Sequence, residues 1–265
     1  MANHIGVIGA GVMGEALIAA LIRSGVNPGD ISFAEKRDDR AAELTARYSI
    51  VHRDLSEVAA QASTILLVVK PQDMGATLSE LAPHLNADAL LISFAAGKTI
   101  SFISNGLGTG NPVVRVMPNT PTLVAQGMAA ASMGAGVTAA QREFVLGFLG
   151  ATGKVIEVSE DLQDAVTATS GSGPAYFFAF VEAMIAGAKE LGLSDHDATT
   201  LTIQTIVGAA KLLDESGKSA TTLRENVTSP NGTTAAALAS FGNDNLNSMV
   251  AKAMKAARDR SQELA

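Results

Sequence analysis

The apolar positions of this chain follow two regimes. Up to about residue 160, short apolar runs of the kind a buried parallel strand requires alternate with helical spacing. The runs are Ile5 to Ile8, Ile31 to Ala34, Thr64 to Val69, Ala89 to Phe94, Val113 to Met117, Met128 to Met133 and Lys154 to Val158. Helical spacing covers Glu15 to Ile22, Asp39 to Tyr48, Leu55 to Gln61 and Ala139 to Leu149. Beyond that point strand patterns stop, and helices are expected over Asp161 to Thr169, Pro174 to Leu191, Asp195 to Leu213, Ala220 to Asn226, Thr233 to Phe241 and Leu246 to Leu264. The switch predicts an α/β domain over residues 1–160 followed by an all-α domain over residues 161–265.

The helix after Ser170-Gly171-Ser172-Gly173-Pro174 is apolar almost all round and carries Tyr176, Phe177, Phe178 and Phe180 within a turn and a half. Such a helix must be covered on every side, and the all-α half is too small to cover it. A second subunit is expected to supply the rest, which makes this half a dimerisation domain. Composition agrees: charged residues are 17% of the chain and apolar residues 47%, a charge content below that of an ordinary soluble surface.

Directly after the first strand comes Gly9-Ala10-Gly11-Val12-Met13-Gly14, and a helical pattern follows at once. Strand, glycine turn and helix in this order form the dinucleotide-binding fingerprint of a Rossmann-type domain: the glycines permit the tight turn, the approach to a pyrophosphate and the packing of helix on strand. The second strand ends at Glu35-Lys36-Arg37, where this fold places the adenine ribose. Glu35 can accept hydrogen bonds from a 2′-hydroxyl, favouring NADH, whereas Lys36, Arg37 or Arg40 can neutralise a 2′-phosphate, favouring NADPH. Lys36 to Arg40 also reads as a solvated helix start.

Three later strands end in Lys70-Pro71, in Ala95-Ala96-Gly97 and in Pro118-Asn119-Thr120-Pro121. Strand carboxyl ends line the ligand crevice of an open α/β sheet, and the small residues at 95–97 would let a flat nicotinamide ring lie close to backbone. A second candidate site lies far along the chain at Ser229-Pro230-Asn231-Gly232-Thr233-Thr234, a polar turn entering an alanine-rich helix. It reads either as an ordinary helix cap or as an anion cradle, with free N–H groups and the helix dipole meeting a carboxylate while the Thr233 or Thr234 hydroxyl reaches a neighbouring ligand atom.

Charge and cysteine content remove other classes. A net charge of −7 argues against nucleic acid or an anionic membrane as a partner. The absence of cysteine excludes disulfides, thiolate catalysis and cysteine-bound metals, and the four histidines lack metal-ligand spacing, so no metal is expected. The N-terminus lacks the pattern of a signal peptide, and no apolar run is long enough to span a bilayer, so a soluble cytoplasmic protein is expected. A dinucleotide domain followed by helices implies hydride transfer. The helix after Gly173-Pro174 carries aromatics where a hydroxyacid dehydrogenase commonly has its lysine acid-base, and Lys189 lies about four turns along it. The site therefore suits a reduction with little need of a proton donor, such as hydride addition to an imine.

Gly9 to Gly14, Val69-Lys70-Pro71, Ala95-Ala96-Gly97, Met117-Pro118-Asn119-Thr120-Pro121, Ser170 to Tyr176 and Ser229 to Thr234 together resemble pyrroline-5-carboxylate reductases, nearly end to end and in family order. The resemblance implies NAD(P)H-dependent reduction of 1-pyrroline-5-carboxylate to L-proline, the last step of proline biosynthesis, by hydride transfer to the cyclic imine carbon. It implies that Gly9, Ala10, Gly11, Val12, Met13 and Gly14 hold the pyrophosphate, that Val68, Val69, Lys70 and Pro71 with Ala95 and Ala96 flank the nicotinamide and its ribose, and that Asn226 touches the cofactor. It further implies that Ser229, Asn231, Gly232, Thr233 and Thr234 bind the substrate carboxylate, with Thr234 on the ring nitrogen as the catalytic group and with the turn contributed by the partner of a homodimer, itself able to assemble further. Ser172 and Gly173 would border the substrate or simply cap their helix.

The chain departs from the family pattern in two places. Asn231 stands where relatives commonly have a glycine, and Glu35 where many carry a small hydroxyl or amide residue. Asparagine tolerates a positive φ better than other side chains; Glu35 leaves the choice between NADH and NADPH open. Rival readings are a reductase of another cyclic imine or small oxoacid on the same two domains, and a dinucleotide-sensing binding protein without turnover.

Overall fold

The computed structural model describes residues 4–264, which divide into two compact units. One runs to Pro174 and takes in the segment from Ala256 onward; the other is Ala175–Lys255. The chain runs β1 (Ile5–Ile8), α1 (Val12–Arg23), β2 (Ile31–Ala34), α2 (Asp38–Tyr48), β3 (Val51–His52), α3 (Leu55–Gln61), β4 (Thr64–Leu67), α4 (Met74–Leu81), β5 (Leu90–Ser93), α5 (Ile100–Leu107), β6 (Val113–Met117), β7 (Gly127–Met133), α6 (Ala139–Gly150) and β8 (Gly153–Glu157). Helices follow: α7 (Gln163–Val166), α8 (Gly173–Glu190), α9 (Asp195–Glu215), α10 (Ala220–Asn226), α11 (Thr233–Asn243) and α12 (Leu246–Glu263). Among the described residues no helix is long and apolar enough to cross a membrane.

The strands form one sheet in the order β3-β2-β1-β4-β5-β6-β7-β8. Pairing is parallel from β3 through β6, antiparallel between β6 and β7, and parallel again between β7 and β8. The order reverses between β1 and β4, and at such a switch point the carboxyl ends of the strands open a crevice. β1, β4 and β5 are buried throughout because helices cover both sheet faces. Val7, Leu66, Ile92 and Val114 pack with Leu17, Leu21, Leu44 and Phe148 on one face. Ile8, Ile65, Leu67, Leu91 and Val113 pack with Val58, Leu78, Leu81 and Ile103 on the other. Neighbouring residues of one strand thus feed opposite cores, and no polar alternation survives in the sequence.

Two helices and one strand go beyond the sequence pattern. α4 and α5 are each eight residues long, too short to show a helical period, and α5 carries isoleucine, serine and glycine rather than strong helix formers. Packing makes them helical: Leu78 of α4 lies directly over Gly106 of α5, where a Cβ would come within 2.7 Å of its Cδ1. Thr99 caps α5 by accepting from Phe102 N–H at 3.0 Å. β3 has only two residues, both exposed.

The first unit outlasts its sheet because a buried polar cluster ties later helices to it. Arg115 on β6 is 4% exposed and faces Glu160 at 3.5 Å and Asp164 at 3.4 Å. Ser261 on α12 donates to the same Asp164 carboxylate at 2.8 Å. Gln163, fully buried, donates through Nε2 to the Ala130 carbonyl at 3.2 Å and to Ser132 Oγ at 2.8 Å. These bonds extend the unit past the residue at which strand patterns cease and draw the end of α12 back into it.

The second unit is helical, and many of its apolar side chains are exposed. Phe177 and Phe178 on α8 are 66% and 63% exposed, and Leu201, Ile203, Val207, Met249 and Val250 are exposed as well. Phe180 reaches Phe241 on α11 with ring centroids 6.4 Å apart. Apolar exposure on this scale marks an interaction surface.

Candidate active site

The turn after β1 is shaped by close backbone approaches. Gly9 has φ +90°, and a Cβ there would lie 2.8 Å from the Val68 carbonyl oxygen; a Cβ on Gly14 would overlap the Gly9 carbonyl oxygen, whereas Gly11 borders open space. α1 starts with no side-chain cap, and its first backbone bond runs from Glu15 N–H to the Gly11 carbonyl at 2.9 Å. The N–H groups of Val12, Met13 and Gly14 therefore lack intrahelical acceptors at the positive end of the helix dipole. An open turn of this form fits a dinucleotide pyrophosphate. Ala10 differs from its neighbours in the turn, since its N–H donates to Glu35 Oε2 at 3.2 Å.

At the end of β2 the candidate ribose residues separate. Glu35 also accepts from Arg37 N–H at 3.1 Å, and Lys36 and Arg37 extend into solvent. Arg40 turns away: its guanidinium bonds Glu15, Glu43 and the Ala10 carbonyl. Burial pushes the Glu15 carboxyl up, but hydrogen bonds from Arg40, Tyr48 and Arg47 outweigh it and hold the group below the usual range. Hydrogen bonds to Glu15 and Glu43 raise Arg40 in turn. Of the three cations expected to compete for a 2′-phosphate, Arg40 is thus already committed to the protein.

The other crevice loops carry a mixture of exposed backbone and core side chains. Val68 and Val69 are half-buried and Lys70 is exposed, with Pro71 opening a short 3-10 turn. Ala95 is buried in the core beside Leu67 and Leu91, so it offers the crevice backbone only, while Ala96 is half-buried. Gly97, expected to leave room for a ring, has φ +73° and instead fits under α12, where a Cβ would lie 2.8 Å from Leu264 Cβ and 2.9 Å from the Ser261 carbonyl oxygen.

Ser170 to Pro174 is not a helix cap. Thr167–Gly171 forms a π turn that runs into α8, and Ser172 N–H donates to the Thr167 carbonyl at 2.8 Å. Pro174 has no N–H to return to the Ser170 carbonyl, and Asn119 Nδ2 supplies a donor at 3.3 Å. The same amide lies 3.3 Å from Ser170 Oγ, and Asn119 Oδ1 accepts from Met128 N–H at 2.8 Å. A Cβ on Gly171 would overlap the end of the Met117 side chain. Ser172 is half-buried and Gly173 buried at this wide turn, a helix irregularity that recurs at functional sites. The sequence places Asn119 at a strand end without its partner; the missing proline N–H is the available signal.

In the second unit, Ser229 to Thr234 forms the turn before α11. Asn231 adopts φ +60°, the left-handed conformation that asparagine tolerates. Gly232 is the N-cap without a side-chain cap bond, and a Cβ there would overlap Ser229 Oγ. Gly232 N–H donates to the Ser229 carbonyl at 3.0 Å, and the first helical bond is Ala236 N–H to Gly232 at 3.1 Å. The Thr233, Thr234 and Ala235 N–H groups are left without intrahelical acceptors, in an eleven-residue helix. Thr234 is half-buried, whereas Thr233, Ser229 and Asn231 are exposed. Asn226 is exposed at the end of α10.

The glycine turn at the sheet's switch point and the helical second unit define a dinucleotide-binding oxidoreductase architecture. Residues 160–264 match the model of pyrroline-5-carboxylate reductase dimerisation domains, and residues 4–97 match that of NADP oxidoreductases, coenzyme F420-dependent. A pyrroline-5-carboxylate reductase of Corynebacterium melassecola is 41% identical over 98% of both chains. The solved pyrroline-5-carboxylate reductase of Coxiella burnetii is 34% identical, with a TM-score of 0.92 over 100% of this chain and 99% of that one. The pyrroline carboxylate reductase of Plasmodium falciparum, solved with NADP bound, is 28% identical, with a TM-score of 0.89 over 99% and 98% of the two chains. The chain belongs to the pyrroline-5-carboxylate reductase family.

Proposed function

We propose that this protein reduces 1-pyrroline-5-carboxylate to L-proline with NADPH or NADH, as the last step of proline biosynthesis in the cytoplasm, and that it does so as a homodimer. The observation that carries the reading is the combination of two helix starts without a side-chain cap bond, one at α1 suited to a pyrophosphate and one at α11 suited to a carboxylate, with family membership over nearly the whole chain. When bound, the reduced nicotinamide supplies the hydride that the imine carbon receives. The chain's own residues bind and orient. Backbone N–H groups of Val12, Met13 and Gly14 neutralise the pyrophosphate; those of Thr233 to Ala235, with the turn from Ser229, hold the substrate carboxylate. The Thr234 hydroxyl bonds the ring nitrogen as it becomes an amine. Val68 to Pro71, Ala95, Ala96, Ser172 and Gly173 complete the walls on the cofactor side, and the Ser229 to Thr234 turn comes from the partner of the homodimer. Positioning supplies most of the acceleration.

The test is loss of absorbance at the reduced nicotinamide band on adding 1-pyrroline-5-carboxylate, with other cyclic imines and keto acids in parallel. Substrate-dependent oxidation confined to cyclic imines is expected; oxidation by keto acids alone, or by none, removes the assignment. The exposed aromatic face of α8 supports the homodimer. Phe178→Glu, which places a charge on that face, is expected to shift the chain to monomer in light scattering and to reduce turnover at least tenfold, since burying an unpaired charge is costly. A fully active monomer would count against a site that needs the partner.

A further inference from the structure

Glu35 directly follows the second strand of the sheet, where this fold holds a dinucleotide's adenosine ribose. Its carboxylate is fixed by two backbone donors, Ala10 N–H at 3.2 Å on Oε2 and Arg37 N–H at 3.1 Å on Oε1. The backbone beneath it is held as well. Gly9 N–H donates to the Ala34 carbonyl at 3.0 Å, His52 Nε2 lies 3.1 Å from the Glu35 carbonyl, and the His52 ring packs on Phe33 with centroids 5.2 Å apart.

The neighbouring cations do little to cancel this charge. Arg37 Nε is 4.0 Å away on a side chain 63% exposed, against 13% for Glu35, and an exposed, long pair of this kind is largely screened. Arg40 is occupied by Glu15 and Glu43. Lys36 is exposed.

The geometry points to Glu35 as the residue that sets cofactor choice in this chain: its carboxylate accepts from the ribose 2′-hydroxyl of NADH and repels the 2′-phosphate of NADPH. The inference rests on the reductase reading above. A hydroxyl is a neutral donor that finds an acceptor here. A 2′-phosphate brings a charge of about −1.5 to −2 and further acceptor oxygens, and it meets a carboxylate whose orientation the glycine turn has fixed. Exposed Lys36 and Arg37 remain available to a phosphate, but each would pay side-chain entropy in an open, screened position.

Calorimetric titration with ADP-ribose and with 2′-phospho-ADP-ribose tests this without hydride transfer, since neither probe carries nicotinamide. The native chain is expected to bind ADP-ribose about tenfold or more tightly, as like-charge juxtaposition disfavours the other probe. Glu35→Ser should bring the two affinities together or invert them. Glu35→Gln keeps an acceptor for Ala10 N–H and should also narrow the ratio, which serves where Glu35→Ser does not fold by circular dichroism. Equal or tighter binding of 2′-phospho-ADP-ribose by the native chain, or an unchanged ratio in the folded variants, overturns the inference and leaves the reductase reading standing. Folded native chain that binds neither probe overturns both.

Discussion

Gly14→Ala is expected to weaken cofactor binding about 100-fold and to raise the KM for the reduced nicotinamide accordingly. The added Cβ would overlap the Gly9 carbonyl oxygen, a backbone atom that cannot swing aside as a side chain can. Gly9 cannot yield easily either: its N–H is bonded to the Ala34 carbonyl at 3.0 Å, and the next strand binds back through Val68 N–H to Ile8 at 2.8 Å. Relief must come from moving α1 away from β1, which would pull the Val12 to Gly14 N–H groups off the pyrophosphate they are proposed to bind. Overpacking of this kind costs about 1–3 kcal/mol or more, and here it falls on the binding turn itself. Titration of the folded variant with reduced nicotinamide cofactor checks the result. Gly11→Ala is the control: nothing lies within 4 Å of its Cβ position in the protein, so any loss it causes comes from the ligand side alone. Native affinity in Gly14→Ala would show that the turn can reshape at little cost.

Thr234→Ala is expected to lower kcat about 10- to 100-fold, the range for a hydrogen bond of about 1.5–3 kcal/mol to a group becoming charged. The substrate's KM should change less, because on the proposed reading the carboxylate docks on backbone N–H groups at the start of α11, which the substitution leaves in place. Thr234→Ser retains the hydroxyl and should recover most of the turnover. The N-cap of α11 is Gly232 and not Thr234, so removal of the Thr234 hydroxyl is not expected to unfold α11. Unchanged kcat in Thr234→Ala would take the side chain out of the mechanism and leave the turn with carboxylate binding alone.

Much of the first unit was legible because its parallel strands are buried on both faces, which writes them as unbroken apolar runs. β1, β2, β6 and α1 lie where the pattern places them. The glycine turn was legible for a related reason: a backbone squeezed against Val68 and against itself admits only glycine at two positions. α4 and α5 escaped notice because eight residues hold barely two turns, and their helicity is decided by the core they pack into. Between Asp161 and Pro174 the sequence predicts a helix to Thr169 and leaves Ser172 and Gly173 as a cap or a substrate border, and neither shows the π turn over Thr167–Gly171. That turn depends on Asn119, about fifty residues earlier, supplying the donor that Pro174 lacks.

The sequence by itself determined which segments could be buried, where the chain must turn without a side chain, and that its helical half carries more apolar surface than one copy covers. These follow from local rules: period, backbone sterics and the transfer of apolar groups from water. Only the tertiary structure decided which charges are available. Glu35 and the cations Lys36, Arg37 and Arg40 are opposed candidates on paper; the fold hands Arg40 to Glu15 and Glu43, fixes Glu35 on Ala10 and Arg37 N–H, and leaves Lys36 in solvent. Likewise Gly97 reads as room for a ligand until α12 is seen to lie against it. A side chain's spacing records where it sits along the chain, whereas its partner is set by contacts between segments far apart in sequence.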